Sequence, residues 1–488
     1  MNKKERDRQG QEQDAQVQAV LSELKVTTPI RLKHKRPPTW WELFIHRCYQ
    51  FAFSCQKLWN RVVKNEAQGI IVVILIISLI GLVNIFSATY AAASSSGDIF
   101  SRQAIVQMIS LVLGVIVAYG MYKFKYSHLK SRKWQAWIAG IIFVLLIAVL
   151  GVGTVVNGAR RWFQIAGVSI QPSEFAKLAS IVWTAMWVNK WRETHDKMEF
   201  GHFAPWKCLR RWSIRQKLPV LSPDLCIFLV PIAYAVATII EPDMGTAVLI
   251  FMVSLVVFCM GGLDKSQLKG IGIAILVMAV AVGIAIWLSP YRAERVQSWY
   301  DPWSHARDLG YQTVQGLIAI GSGGLFGEGI GHGTAKFFYL PEAHTDFAFA
   351  VWAQETGFIG SIFLVGLFLL FTFLGLQIAK NARDYFGALL AVGCTFLISF
   401  QAFFNMLMVN GMLPVTGVPL PFISYGGSSL LVNFAAIGLL LNIARRSALT
   451  KSGVGTKARS KQNQQSLREE TQSRFKPQKL SEPQVEEK

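Results

Sequence analysis

Asp346 stands where a long polar loop, residues 289–345, gives way to an extended apolar run, within Ala343-His344-Thr345-Asp346-Phe347. A carboxylate at the edge of an apolar segment is costly to keep unless it does something. It can take a proton from a hydroxyl, orient that hydroxyl, or help to hold a cation. The plain structural alternative is an acid in a helix's first turn, favoured by the helix dipole, with Thr345 as the cap. Groups that could meet an anion lie elsewhere: Arg160 and Arg161 in Asn157-Gly158-Ala159-Arg160-Arg161-Trp162, Lys177 in Gln171-Pro172-Ser173-Glu174-Phe175-Ala176-Lys177, and Lys336 late in the long loop. Glu241 and Asp243 flank Pro242 and add two carboxylates. Each has a bland reading too. Glu174 and Lys177 are spaced i,i+3 and can pair with each other. The two arginines can anchor headgroups, and Glu241-Pro242-Asp243 can be a tight connector. His344 reads as a local hydrogen-bonding partner rather than a metal ligand.

Two loops have patterns of their own. Gly321-Ser322-Gly323-Gly324-Leu325-Phe326-Gly327-Glu328-Gly329-Ile330-Gly331-His332-Gly333 permits close backbone approach. It lacks the Gly-Lys-Ser/Thr ending of a nucleotide-phosphate loop. The stretch 411–429 carries Pro414, Pro419 and Pro421 and ends in Ser424-Tyr425-Gly426-Gly427-Ser428-Ser429. Non-helical backbone of this kind at membrane depth survives where protein buries it or it lines a cavity.

The elements that must position these residues are apolar helices. Hydrophobic residues make up 52% of the chain and charged residues 16%. Ten segments are long and apolar enough to cross a bilayer, near 69–90, 104–122, 134–152, 173–189, 223–241, 246–262, 269–288, 347–376, 385–409 and 423–443. The expected fold is therefore an all-α, ten-helix polytopic membrane protein. Lys and Arg crowd the 123–133 and 190–217 loops and both termini, whereas the 410–422 loop has none. That bias puts both termini inside and the 289–345 loop outside, between the seventh and eighth spans. The net charge of +20 is then an inner face meeting anionic lipid, and no nucleic acid is needed. Residues 1–65 form a cytoplasmic extension, with apolar residues at helical spacing over 40–59 that suit an interfacial helix. Residues 66–446 form the membrane domain, and 447–488 read as a disordered basic tail. The six cysteines, Cys48, Cys55, Cys208, Cys226, Cys259 and Cys394, all fall inside or within spans, so no disulfide is expected. No zinc-ligand spacing occurs. With this topology Asp346, Arg160, Arg161, Glu174, Lys177, Glu241 and Asp243 all face one outer cavity.

The five motifs Asn-Gly-Ala-Arg-Arg-Trp, Gln-Pro-Ser-Glu-Phe-Ala-Lys, Glu-Pro-Asp-Met-Gly-Thr, Tyr-Leu-Pro-Glu-Ala-His-Thr-Asp-Phe and the Pro-rich Ser-Tyr-Gly-Gly-Ser-Ser segment occur in order over residues 66–446. In this the chain resembles the SEDS family of bacterial cell-wall synthases, which has a division (FtsW) and an elongation (RodA) branch. Tyr339 to His344 and Leu441 to Arg446 look more like the division branch, and Gly417 to Pro421 more like the elongation branch. The division branch is favoured. The family often has an acid where this chain has Gln354, which leaves the role of that position open. The resemblance implies a peptidoglycan glycosyltransferase of the bacterial cell membrane that polymerises lipid II at the outer face. It implies a class B penicillin-binding protein as partner, alongside other division or elongation proteins, and an essential acid at Asp346.

Joining an α-linked diphosphate donor to a 4-hydroxyl as a β-1,4 bond inverts configuration and suggests one in-line displacement. Such a step needs a base, read as Asp346, and positive charge on the leaving diphosphate, read as Arg160, Arg161, Lys177 and Lys336. Glu174, Glu241, Asp243, His344, Ser424, Tyr425, Gly426, Gly427 and Ser428 are the remaining cavity candidates. No cofactor is required, although Mg or Mn could neutralise the diphosphate. The helix dipole lowers the pKa of Asp346 and burial raises it, and sequence does not decide between them. A lipid II flippase and a noncatalytic scaffold for a transpeptidase are the alternatives from other classes.

Overall fold

The structure is a computed structural model. It describes residues 65–95, 101–156, 159–165, 168–195, 223–261, 265–308, 310–337 and 340–451, all within the unit Val63–Lys488. The 40–59 stretch, Cys48, Cys55, Cys208, most of the basic 190–217 loop and the tail beyond 451 lie outside the described residues.

The chain runs through α1 (Glu66–Ser95), α2 (Arg102–Lys123), a 3-10 turn (Tyr126–Lys130) and α3 (Arg132–Val152). Strands β1 (Thr154–Val156), β2 (Ala159–Ile165) and β3 (Val168–Ile170) follow, then α4 (Pro172–His195), α5 (Pro223–Ile240), α6 (Met244–Cys259) and α7 (Lys265–Trp287). The long loop holds α8 (Pro290–Tyr300) and α9 (Tyr311–Ser322), and the chain closes with α10 (Ala348–Lys380), α11 (Tyr385–Val409) and α12 (Gly427–Lys451). A helix thus stands at each segment whose hydropathy predicted a span. Among the described residues, six are long and apolar enough to cross a membrane: α1, α2, α3, α10, α11 and α12. The others carry charges, as α4 does at Glu174 and Lys177, or have shorter apolar stretches such as Met244–Cys259.

The all-helical expectation needs one correction. Residues 154–156, 159–165 and 168–170 pair as a three-stranded antiparallel sheet, in the order β1-β2-β3. Val155, Val156, Trp162, Phe163 and Ile165 are β-branched or aromatic residues that suit extended backbone. The strands are too short for a hydropathy scan to separate from a loop.

Helices α11 and α12 are mostly covered by other helices, whereas α3 is mostly exposed. α12 packs along α2, and α10 packs between α1 and α11. The polar sites gather where α10, α11 and α12 begin or end beside the long loop.

α10 is not a continuous rod. Gly357 within it has φ 69° and ψ −164°, a conformation that only glycine adopts readily. The break frees backbone groups, and the glycine-rich loop satisfies them. The amides of Glu328 and Gly329 donate to the carbonyls of Gln354 and Glu355 at 3.0 Å each, and the amides of Phe358 and Ile359 donate to Gly324 and Leu325 at 2.9 and 3.2 Å. A Cβ on Gly327 would lie 2.2 Å from the Glu355 carbonyl oxygen, so the loop fits only without side chains there. The glycines expected to permit close approach do so against a helix of the same chain.

Candidate active site

Asp346 sits on a turn just ahead of α10. The amides of Thr345 and Phe347 both donate to the carbonyl of Glu342, at 3.1 and 3.2 Å. Glu342 itself has φ 53°, a left-handed conformation uncommon for a side-chain-bearing residue. The Thr345 hydroxyl donates to the Glu342 carboxylate at 2.5 Å, so it does not cap the helix as its position suggested. The cap residue is Phe347, without a side-chain capping bond. Its fully buried ring fixes the turn, because a Cβ on Gly316 of α9 would lie 2.6 Å from it.

Asn405 of α11 holds the turn from the other side, donating to the Asp346 carbonyl at 2.8 Å and to the Val418 carbonyl at 2.7 Å. The carboxyl group is therefore brought against the Pro-rich loop. A Cβ on Gly417, where φ is 73°, would lie 3.4 Å from Asp346 Oδ2.

Burial pushes the Asp346 carboxyl up to about 7. The negative charge of Glu342 adds to that, Arg295 opposes it, Asp243 adds to it and Arg161 opposes it. Burial is the largest of these causes, and Asp346 stands one residue ahead of the cap Phe347 rather than in the helix's first turn. A carboxylate with a pKa near the working pH is what a general base needs.

The same four charges define the neighbourhood. Arg161, on β2, donates from Nε to the Glu241 carbonyl at 3.0 Å and from Nη2 to the Pro242 carbonyl. Asp243 caps α6 through Oδ1, which accepts from the Thr246 amide at 3.1 Å, while Oδ2 accepts from Gln171 at 3.0 Å. Glu241 is fully buried, neither carboxyl oxygen has a hydrogen-bond partner, and burial, with Asp243 beside it, pushes it up to about 8. Arg295 of α8 donates to the Val415 carbonyl at 3.1 Å.

The Ser-Tyr-Gly-Gly-Ser segment borders this group. The Tyr425 amide donates to the His344 carbonyl at 2.8 Å, and the two rings lie 5.8 Å apart. Burial holds the His344 imidazole below its usual pKa, against the pull of Glu342. Ser428 accepts the Gln171 amide and donates to the Ser169 carbonyl, both at 3.0 Å, which joins the segment to β3. Ser424 accepts the Leu420 amide at 2.8 Å inside its own turn. The Gly426 amide reaches Gln107 at 3.4 Å, and Gly427 packs on Ser110 of α2.

Three expected cations have other partners. Lys177 lies 2.7 Å from Glu174 and 3.0 Å from Gln401 Oε1, and both members of the pair are buried. Lys336 lies 3.1 Å from Glu355 Oε1 and 3.1 Å from Ser87, also buried. Arg160 is exposed and donates to the carbonyls of Leu150 and Gly151 at 3.3 and 3.0 Å. Arg161, Glu241, Asp243 and Asp346 are thus brought together, and Lys177, Lys336 and Arg160 are engaged elsewhere.

Residues 67–449 match the family of FtsW, RodA and SpoVE cell cycle proteins. This chain belongs to that family. Among its relatives, a probable peptidoglycan glycosyltransferase FtsW from Geobacter sp. (strain M18) is 34% identical over 395 residues, covering 79% of this chain and 98% of that protein. Stage V sporulation protein E of Bacillus subtilis (strain 168) is 34% identical over 380 residues, covering 78% and 96%. A chain from a structure described as coordination of polymerization and crosslinking by a peptidoglycan synthase complex superposes with a TM-score of 0.58 at 25% identity, covering 78% of this chain and 97% of that one. The rod shape determining protein RodA of Thermus thermophilus superposes with a TM-score of 0.51 at 26% identity, covering 77% and 96%.

Arg295, given no role by sequence reasoning, and Gln354, whose role it left open, gain a place in this FtsW/RodA/SpoVE chain. Arg295 was legible only as one charge among many in the long loop. Gln354 accepts the Ala335 amide at 3.0 Å and donates to Ser322 at 3.0 Å, Thr334 at 3.0 Å and Glu328 at 3.2 Å. An acid there would lose those donors and face the Glu328 carboxylate, so the amide suits this particular loop.

Proposed function

We propose that this chain is a peptidoglycan glycosyltransferase that polymerises lipid II at the outer face of the bacterial cytoplasmic membrane, in cell division. The observation that carries the reading is the placement of the Asp346 carboxyl against the Pro-rich loop, in the electrostatic reach of Arg161 and Arg295, where burial raises its pKa. Family membership supports the activity, and relatives named FtsW favour division over elongation. The proposal takes all ten segments as spans with both tails inside, since the cationic loops then share one face.

In this reading the Asp346 carboxylate takes the proton of the acceptor sugar's 4-hydroxyl. The oxygen attacks the donor's anomeric carbon from the side opposite the diphosphate. The carbon–oxygen bond to the phosphate breaks, and the diphosphate leaves with the electron pair. Arg161 and Arg295 supply the positive field that favours this charge. Arg160 at the exposed edge can meet incoming substrate, whereas Lys177 and Lys336 hold buried carboxylates. Tyr425 and His344 border the space for the sugars. Both Asp243 oxygens are already occupied, and burial favours the protonated form of Glu241. Among the described residues no group of acidic or histidine side chains is placed to hold a divalent ion by itself.

The partner in this reading is a class B penicillin-binding protein, which would crosslink the strands. Purified chain with that partner and lipid II separates the readings. Glycan strands support a polymerase. Movement of lipid II between leaflets without joining would make it a flippase, and neither outcome with partner binding intact would make it a scaffold.

A further inference from the structure

We infer that Asn405 is a positioning residue for the Asp346 carboxyl and that Gly417 is the point where the last outer loop leaves room for it. The inference rests on Asp346 being the base. Asn405 is fully buried near the end of α11. Its amide nitrogen has two hydrogens, and both are used: one on the carbonyl of Asp346, one on the carbonyl of Val418. The orientation is fixed, because the oxygen end could not serve either carbonyl. One side chain thereby sets the separation between the turn that carries Asp346 and the loop that faces it. The Asn405 Oδ1 atom has no partner, although it is buried. A buried amide with an unsatisfied oxygen calls for an explanation, and the two carbonyls held by its other end supply one.

The surroundings leave little slack. The Phe347 ring locks the residue after Asp346 against Gly316. The loop on the far side is pinned at Val415 by Arg295, at 3.1 Å, and at Gly411 by Trp299, at 3.0 Å. Between these fixed points, Gly417 has φ 73°, which an alanine adopts only with strain, and a methyl group there would meet Asp346 Oδ2 at ordinary contact distance, 3.4 Å. An alanine at 417 would have to strain or shift the backbone beside the carboxylate, and catalysis by a fixed base is sensitive to shifts of about 1 Å. Asn405 touches no reacting atom, so its effect must come through Asp346.

The test is steady-state polymerisation of lipid II across pH by the full chain with its penicillin-binding partner. Wild type is compared with Asn405→Ala, Asn405→Asp and Gly417→Ala, with Asp346→Asn as the control. The expected result for Asn405→Ala and Gly417→Ala is a fall in kcat of about 10–100-fold, KM nearly unchanged, and a displaced acid limb. Asn405→Asp should be at least as impaired, since it sets a carboxylate against two carbonyls. Wild-type kcat and acid limb in Asn405→Ala and Gly417→Ala, with Asp346→Asn inactive, would reject the positioning role and leave the base intact. A kcat loss with an unmoved limb, or a change confined to KM, would also reject it. Activity in Asp346→Asn would instead remove the reading beneath. If the Asn405 variants do not elute as a folded complex, Gly417→Ala decides alone.

Discussion

Arg161 holds the Glu241 carbonyl at 3.0 Å through Nε while another nitrogen of the same guanidinium holds the next carbonyl. A strand of the small sheet is thus stapled to the turn between α5 and α6, and the arginine's charge stays within reach of Asp346. Only a planar fork can do both. Arg161→Lys keeps the charge and loses the fork. The expected outcome is a drop in kcat/KM for lipid II of roughly tenfold or more, with the protein still inserted and partner-bound, as a polymerisation assay on the co-purified complex will measure.

The pH dependence follows from the sign of the Asp346 shift. A base must be ionised to act, and burial pushes this carboxyl up to about 7. The rate should rise with pH through that value and be largely lost well below it. Glu342 is one cause of the raised value, so Glu342→Gln should move the acid limb to lower pH. Glu342 is exposed, so the displacement should be modest and shrink with added salt.

Glu241 makes a stability prediction of its own. Its pKa in the folded chain, about 8, lies above that of an unfolded glutamate. Folding therefore favours its protonated form, and this contribution is present at low pH and lost as pH rises towards and through about 8. Glu241→Gln carries a neutral group of the same shape. Its apparent Tm should exceed wild type at pH 8, and the gain should vanish below a pH of about 4.

Lys336 and Glu355 test how the glycine-rich loop is held at the break in α10. Their ion pair, at 3.1 Å, is buried on both sides. Removing one partner leaves a buried charge, which typically costs about 3–5 kcal/mol. Lys336→Met or Glu355→Leu should lower the apparent Tm clearly, and the double variant should lower it less than the two single losses added together.

The helices were legible because a span needs a long apolar run, and hydropathy reports that directly. The Glu174–Lys177 pair was legible from its i,i+3 spacing. The sheet at 154–170 was not, since its strands are three to seven residues long and resemble a loop. Gly357 was invisible because it lies inside one long run that reads as a single span, and a break is a property of backbone angles rather than composition. The expected convergence of cations was legible for Arg161 through its motif. What was not legible is that Lys336 would be drawn into a buried pair with Glu355, because pairing between separated segments has no local signature. Arg295 has none either: its relation to Asp346 depends on how α8 settles beside the 411–417 loop.

The central claim is that Asp346 is the proton acceptor for glycan polymerisation. The most direct measurement is strand synthesis from lipid II by Asp346→Asn, purified with its penicillin-binding partner and shown to be folded and bound. The account predicts no strands from this variant under conditions where wild type makes them. Strand synthesis at a near-wild-type rate would contradict it.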